Sequence, residues 1–191
     1  MSKKIKQIIT ASIETKQRLL ANEQILATLC DVVDQCLLTL KNDGKLLFCG
    51  NGGSAADAQH IAAELSGRFY RDRAPLFAEA LHVNSSYLTA VANDYGFGMV
   101  YERMVKAAGR SGDVLFAIST SGNSENILKA AAAARAIGMK VVAMTGDDGG
   151  QLKSMADYVL NVPSDDTPRI QESHILLGHI ICELIELKYF S

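Results

Sequence analysis

His60 and Glu64 stand four residues apart in a stretch of helical spacing, which puts an imidazole and a carboxylate on one face about one turn apart. Such a pair can share a divalent ion such as zinc, and the carboxylate can also move a proton. The same spacing is common in solvent-facing ion pairs, so that plainer use stands beside the chemical one. The residues around Glu64 are mostly small or apolar: Ala55, Ala56, Ala58, Ile61, Ala62, Ala63 and Leu65. Close packing there would bury the carboxyl, raise its pKa and make it a better base near neutral pH. A second helical stretch near the C-terminus carries Gln171 and His179. Eight residues of helix rise about 12 Å. One ion is therefore within reach of both only if the helix is irregular at Gln171, or if two subunits contribute.

Two loops could hold an anion. Gly50-Asn51-Gly52-Gly53-Ser54 follows an apolar run and opens the stretch that carries His60. Its glycines let backbone approach a ligand closely, and the first amides of a helix point at anions. Ser119-Thr120-Ser121-Gly122-Asn123-Ser124 follows another apolar run and opens another helix, with Ser124 at the N-cap position. Its hydroxyls supply phosphate donors without a lysine. Each loop alone is also an ordinary strand-to-helix turn. Two at corresponding places of one sheet point to an anion site, because ligands of parallel sheets bind beyond the carboxyl ends of strands.

The elements that must position these groups alternate. Apolar spacing over Ile5–Leu40 predicts two helices, broken near Ala21–Glu23 and stopped at Asn42-Asp43-Gly44. Strands are expected at Lys45–Cys49, Ala78–Val83, Val114–Ile118, Val141–Met144 and Tyr158–Val162. Helices are expected after Ser54, at Ser86–Asn93, at Met99–Gly109, after Ser124, after Gly150 and at Ile170–Lys188. This alternation implies a three-layer α/β fold, a five-stranded parallel flavodoxin-like sheet covered on both faces. Residues 1–191 read as one domain, with a helical N-terminal segment over 1–41 and an α/β core over 45–191.

A chain of 191 residues, 48% hydrophobic and 21% charged with net charge −2, suits an ordinary globular protein and shows no basic excess for nucleic acid. The four cysteines, Cys30, Cys36, Cys49 and Cys182, form no CxxC pair and read as reduced thiols. The basic N-terminus lacks the apolar centre of a signal peptide, and no apolar run reaches membrane-spanning length. A cytoplasmic protein without membrane contact is expected.

The glycine loop with Ala56-Asp57-Ala58-Gln59-His60, the serine loop, and Arg169-Ile170-Gln171-Glu172 together resemble the phosphoheptose (sedoheptulose 7-phosphate) isomerases of the sugar isomerase (SIS) domain superfamily. The similarity spans nearly the whole chain. It implies a homotetramer with sites at subunit contacts and one zinc ion per subunit, held by His60, Glu64, Gln171 and His179. It implies substrate contacts from Asn51, Gly52, Gly53, Ser54, Glu64, Asn93, Asp94, Ser119, Thr120, Ser121, Ser124 and Gln171. Aldose–ketose isomerisation moves one proton between C1 and C2 and another between their oxygens, through a cis-enediol(ate). Glu64 is assigned the first transfer and His179 the second. The product would supply heptose to a lipopolysaccharide core or capsule.

Some positions keep plainer readings. Asn93-Asp94 also fits a helix end closing at Gly96. Arg68 could support the carboxylate or the phosphate, or face solvent. His82 and His174 fit ordinary hydrogen-bonded histidines, His174 lying one turn from Gln171. Leu81-His82-Val83-Asn84 departs from the Thr and Asp that many relatives carry before a serine, with Asn84 a helix cap, and Pro168 replaces an Asp found in some. Two competing functions are a non-catalytic SIS protein binding the bacterial replication initiator and an isomerase or sensor for another sugar phosphate. Glu64 and His179 favour the enzyme.

Overall fold

The computed structural model describes all 191 residues. Two helices lead, α1 over Ser2–Leu20 and α2 over Glu23–Lys41. The break between them falls where expected, because Asn22 caps α2 by accepting the Ile25 amide at 3.1 Å. The remainder alternates: β1 Leu46–Gly50, α3 Gly53–Ser66, β2 Ala78–Ala80, α4 Ser85–Tyr95, α5 Val100–Ala108, β3 Val114–Ile118, α6 Glu125–Ala136, β4 Lys140–Thr145, β5 Tyr158–Asn161 and α7 Thr167–Tyr189. All strand pairs are parallel, in the order β2-β1-β3-β4-β5, which is the flavodoxin-like arrangement.

Period-two alternation divides the core into two layers. Leu46, Phe48, Val114, Phe116, Val142 and Met144 face α2, α3 and α7, with the Phe48 and Phe116 rings stacked at 4.6 Å. Leu47, Cys49, Leu115, Ala117, Val141 and Ala143 face α4, α5 and α6. Both layers are apolar, which is why the central strands read as continuous hydrophobic runs.

Two expectations change. β2 stops at Ala80 rather than Val83, because the chain turns at Leu81-His82 at the edge of the sheet. The helix expected after Gly150 is a short 3₁₀ turn, Gln151–Met155, since β5 begins again at Tyr158 and leaves no room for full turns.

Buried ionic contacts fix α7. Glu186, only 2% exposed, accepts the amides of Phe69, Tyr70 and Arg71 and the Arg73 guanidinium. Burial alone would raise its pKa; these donors outweigh it and hold the carboxyl below its ordinary value. At the other end, Arg169 pairs with Glu172 and donates to the Ile8 carbonyl, and Glu172 accepts from Ser12, so α1 is tied to α7.

His174 is fully buried, shares a 3.1 Å hydrogen bond with the Thr145 carbonyl, and has its pKa pushed down to about 4, chiefly by burial. Above its ordinary value of 6.5 the ring is neutral in folded and unfolded chains alike. Below it, the unfolded chain takes up a proton that the folded chain refuses, so stability falls as pH falls from 6.5 towards about 4. Urea unfolding at pH 7 and pH 5 should show a loss about 2 kcal/mol larger in the native chain than in His174→Gln. Equal losses would assign the pH dependence elsewhere.

Candidate active site

The sheet delivers two loops to its carboxyl edge, and α3 and α7 run side by side beneath them. Their register is visible at two points. A Cβ on Gly53 would lie 2.6 Å from the Gln171 amide, and one on Gly178 would lie 2.7 Å from Ile61 Cγ1. Both helices therefore run in the same direction in close contact, and Gly178 allows an approach that a side chain would block.

One residue beyond that contact, His179 meets α3. Its Nε2 lies 3.0 Å from His60 Nε2, and His60 Nε2 lies 3.3 Å from Glu64 Oε1. One donor atom from each of the three lies within 4.8 Å of the others. Ligand atoms on a tetrahedral ion at 2.0–2.1 Å stand about 3.3 Å apart. Two imidazole nitrogens and a carboxylate oxygen are donors that zinc takes, and the separations at His60 Nε2, 3.0 and 3.3 Å, are near that spacing. The Glu64 side chain is 25% exposed, so the expected burial does not hold. The small residues pack elsewhere: Ala58, Ile61, Ala62 and Leu65 enter the core, while Glu64 shares the α7-facing stripe with Gly53, Asp57 and His60.

Asp57 lies within that stripe. Its Oδ2 is buried without a hydrogen bond, and burial pushes its pKa up to about 6 against the opposing pull of His60. The Phe69 ring stands 5.9 Å from that of His179, on the loop that Glu186 holds.

Gln171 does not join the three. Helix α7 is continuous from Thr167, which removes the irregular start, and the Gln171 amide lies against Gly53 at the opposite end of the α3 stripe. A ligand role for Gln171 at its own chain's cluster is thereby corrected: eight residues of straight helix, about 12 Å, intervene.

At that opposite end lies the serine loop. A cleft of about 380 Å³ is lined by Thr120, Ser121, Asn123, Ser164, Thr167 and Ile170 together with Asp147, Asp148 and Asp165. Ser124 occupies the N-cap of α6 without capping it; its hydroxyl lies 3.1 Å from that of Ser119 and braces the loop. Gly122, at φ +63°, packs on the Gly149 carbonyl, where any Cβ would clash.

Around the glycine loop, Ser54 is buried, and Gly52 and Gly53 are exposed at the start of α3. The Asn51 side chain is engaged with Asn126, each amide donating to the other. Tyr101 donates to the Gly50 carbonyl at 2.5 Å. His82 lines a recess of about 340 Å³ with Asn51, Gly52, Leu88 and Phe97; its Nδ1 is buried without a partner and burial lowers its pKa. Asn93 donates to Asp94 at 2.8 Å at the exposed end of α4, which closes at Gly96 with φ +86°. Asn84 caps α4 as expected, accepting from Tyr87. Arg68 is exposed and makes no ion pair.

Sequence reasoning missed Asn126 and Glu186. Asn126 lies two residues beyond the serine loop and could have been suspected as a buried amide in a helical first turn. Glu186 carries no local signal, since its partners lie 113 to 117 residues away.

Comparison with known proteins shows the family. The SIS domain family matches residues 7–146. The chain is 50% identical to a phosphoheptose isomerase of Sulfurimonas denitrificans, over 100% of this chain and 98% of that one. It is 51% identical to one of Mycobacterium tuberculosis, over 97% and 94% of the respective chains. The solved phosphoheptose isomerase of Neisseria gonorrhoeae superposes with a TM-score of 0.92 at 46% identity, covering 97% of this chain and 98% of that one. These relatives do not favour the non-catalytic reading.

The chain should bind zinc through the three converging side chains. Titration against a colorimetric chelator should find one ion per chain, with affinity about 100-fold weaker in His60→Ala and in His179→Ala. Native affinity in both variants would remove the metal site.

Proposed function

The chain belongs to the SIS domain family and, within it, to the phosphoheptose isomerases, and we propose that it converts D-sedoheptulose 7-phosphate to D-glycero-D-manno-heptose 7-phosphate at a zinc site. The observation that carries this reading is the meeting of His60, Glu64 and His179 at one end of the α3–α7 contact, with the hydroxyl-lined cleft at the other. From Gly53 to His60 the helix rises about 10 Å. An extended seven-carbon chain spans about 8 Å and its phosphate adds about 3 Å. That match supports the length of the substrate.

His60, Glu64 and His179 would hold the ion, which would supply Lewis-acid stabilisation to the oxyanion that develops beside C1 and C2. Glu64 removes the proton from C1 and returns it to C2; Oε1 faces His60, leaving Oε2 for the substrate carbon. His179 carries the second proton between the two oxygens. The hydroxyls of Ser119, Thr120, Ser121 and Ser124 bind the phosphate, and Ser54 with the first amides of α3 at Gly52 and Gly53 completes that end of the site. Asn51 serves through its backbone, its side chain being engaged. Gln171, Asn93 and Asp94 take sugar hydroxyls.

Residues 1–191 act as one SIS domain in a homotetramer. Ile5, Ile8, Ile9 and Ile13 of α1 are 44 to 55% exposed in the single chain, and this stripe supports burial against other copies. The sites then lie at subunit contacts, so that a neighbour covers the half-exposed His60. No helix is long and apolar enough to cross a membrane. The working place is the cytoplasm, and the product feeds heptose into a lipopolysaccharide core or capsule.

A coupled assay on sedoheptulose 7-phosphate should show turnover that chelation abolishes and zinc restores. Glu64→Gln should fold and bind phosphate while losing about 10³-fold or more in kcat. Undiminished turnover after complete metal removal, or in Glu64→Gln, would sink the mechanism.

A further inference from the structure

A ligand gripped at both ends gains from both grips only if its length matches the span between them. In this chain the two grips are the His60–Glu64–His179 cluster, carried on α3 beyond the glycine loop, and the serine loop; the glycine and serine loops are rooted on neighbouring strands where Gly50 pairs with Ile118. Above that pairing one side-chain contact ties them. Asn51 Nδ2 donates to Asn126 Oδ1 at 2.9 Å, and Asn126 Nδ2 donates back to Asn51 Oδ1 at 2.8 Å. Asn126 is 4% exposed, in the first turn of α6 directly after the serine loop. The two amides close a ring of hydrogen bonds. Neither can turn away without leaving a poorly solvated donor and acceptor unmade.

The rest of each loop is braced separately. The Ser119 and Ser124 hydroxyls hold the serine loop to itself, and Tyr101 holds the root of the glycine loop. Neither contact crosses between the loops. Above the strand pairing, the amide pair is the side-chain link from the start of α3, and with it the face that carries His60 and Glu64, to the start of α6.

We infer that Asn126 is a positioning residue which, through its pair with Asn51, sets where the start of α3, and with it the His60–Glu64–His179 cluster, stands relative to the phosphate cradle and so selects ketose phosphates by chain length. This rests on the isomerase reading above. With the span locked, a six-carbon phosphate seated in the cradle stops about 1.3 Å short of the reacting position. A misplacement of that size costs about 100-fold in rate. With the pair cut, the glycine loop moves, the seven-carbon substrate loses its fit and shorter substrates lose less.

The test compares the native enzyme with Asn126→Ala on 2-ketose phosphates of seven, six and five carbons, recording kcat and KM, with inorganic phosphate as a competitive ligand. In Asn126→Ala, kcat/KM for the seven-carbon substrate should fall about tenfold or more. Its advantage over the six-carbon substrate should narrow by about tenfold, while inorganic phosphate binds within about twofold of native. Asn126→Asp keeps the acceptor for Asn51 Nδ2 and should fall between the two; it carries the test if the alanine variant does not fold. A uniform fall on all three substrates, or weaker phosphate binding in proportion, means general loosening and overturns the inference. Native protein inactive on every ketose phosphate would instead overturn the isomerase reading. Equilibrium binding of the same three compounds then reads the length preference, and equal ratios in native and variant protein reject the role of Asn126.

Discussion

The close contact between α3 and α7 governs the chemistry of this molecule. At Gly178 the α7 backbone comes near enough to Ile61 that a Cβ would lie 2.7 Å from its Cγ1, so any side chain there would force Ile61 to move. The following residue, His179, is thereby brought to His60 and Glu64, which a helical turn has already set on one face. Had α7 stood a methyl group further out, the imidazole would miss a cluster whose tolerance is a few tenths of an ångström. Glu186, two turns further along α7, fastens the same helix to the loop leaving α3, so the contact is clamped on both sides of the site.

The sheet supplies the other half of the geometry. Parallel strands end together, and their loops open on one edge where helix amides point outward. A His–Glu–His cluster along two helices and a hydroxyl-bearing loop at the edge would be unrelated features without a common element. That element is α3, which begins in the glycine loop and carries His60 and Glu64 along its length. In the proposed reaction, distance along one rigid helix becomes distance along the substrate.

Much of this was legible in the residues. The break at Asn22, the central strands and the i, i+4 pair follow from local rules, and the structure bears them out. Asn84 capped its helix as its type suggests, whereas Ser124 spent its hydroxyl on Ser119 instead. The difference is tertiary: a hydroxyl in a crowded loop takes whichever partner packing offers. The same limit explains the misjudged burial of Glu64, because a run of alanines shows that one face packs tightly without showing which. Gln171 and His179 share a helix, and only the register of α7 against α3 reveals that their side chains meet opposite ends of the α3 stripe. Asn126 and Glu186 act across 75 and more than 110 residues, where sequence periodicity carries no information.

The exposure of the cluster bears on how the chain must work. The His60 side chain is half exposed, and Glu64 a quarter, when one chain stands alone. An enediolate needs its charge stabilised in a site that excludes bulk water, since water both weakens the field and offers stray protons. No element of this chain covers the open side of His60, yet α1 presents a row of isoleucines to solvent on a helix that Arg169, Glu172 and Ser12 fasten to α7. Burying that row and closing that site are two deficits that association between copies would satisfy at once. The tie from α1 to α7 links them physically: whatever seats α1 also steadies the helix that carries His179.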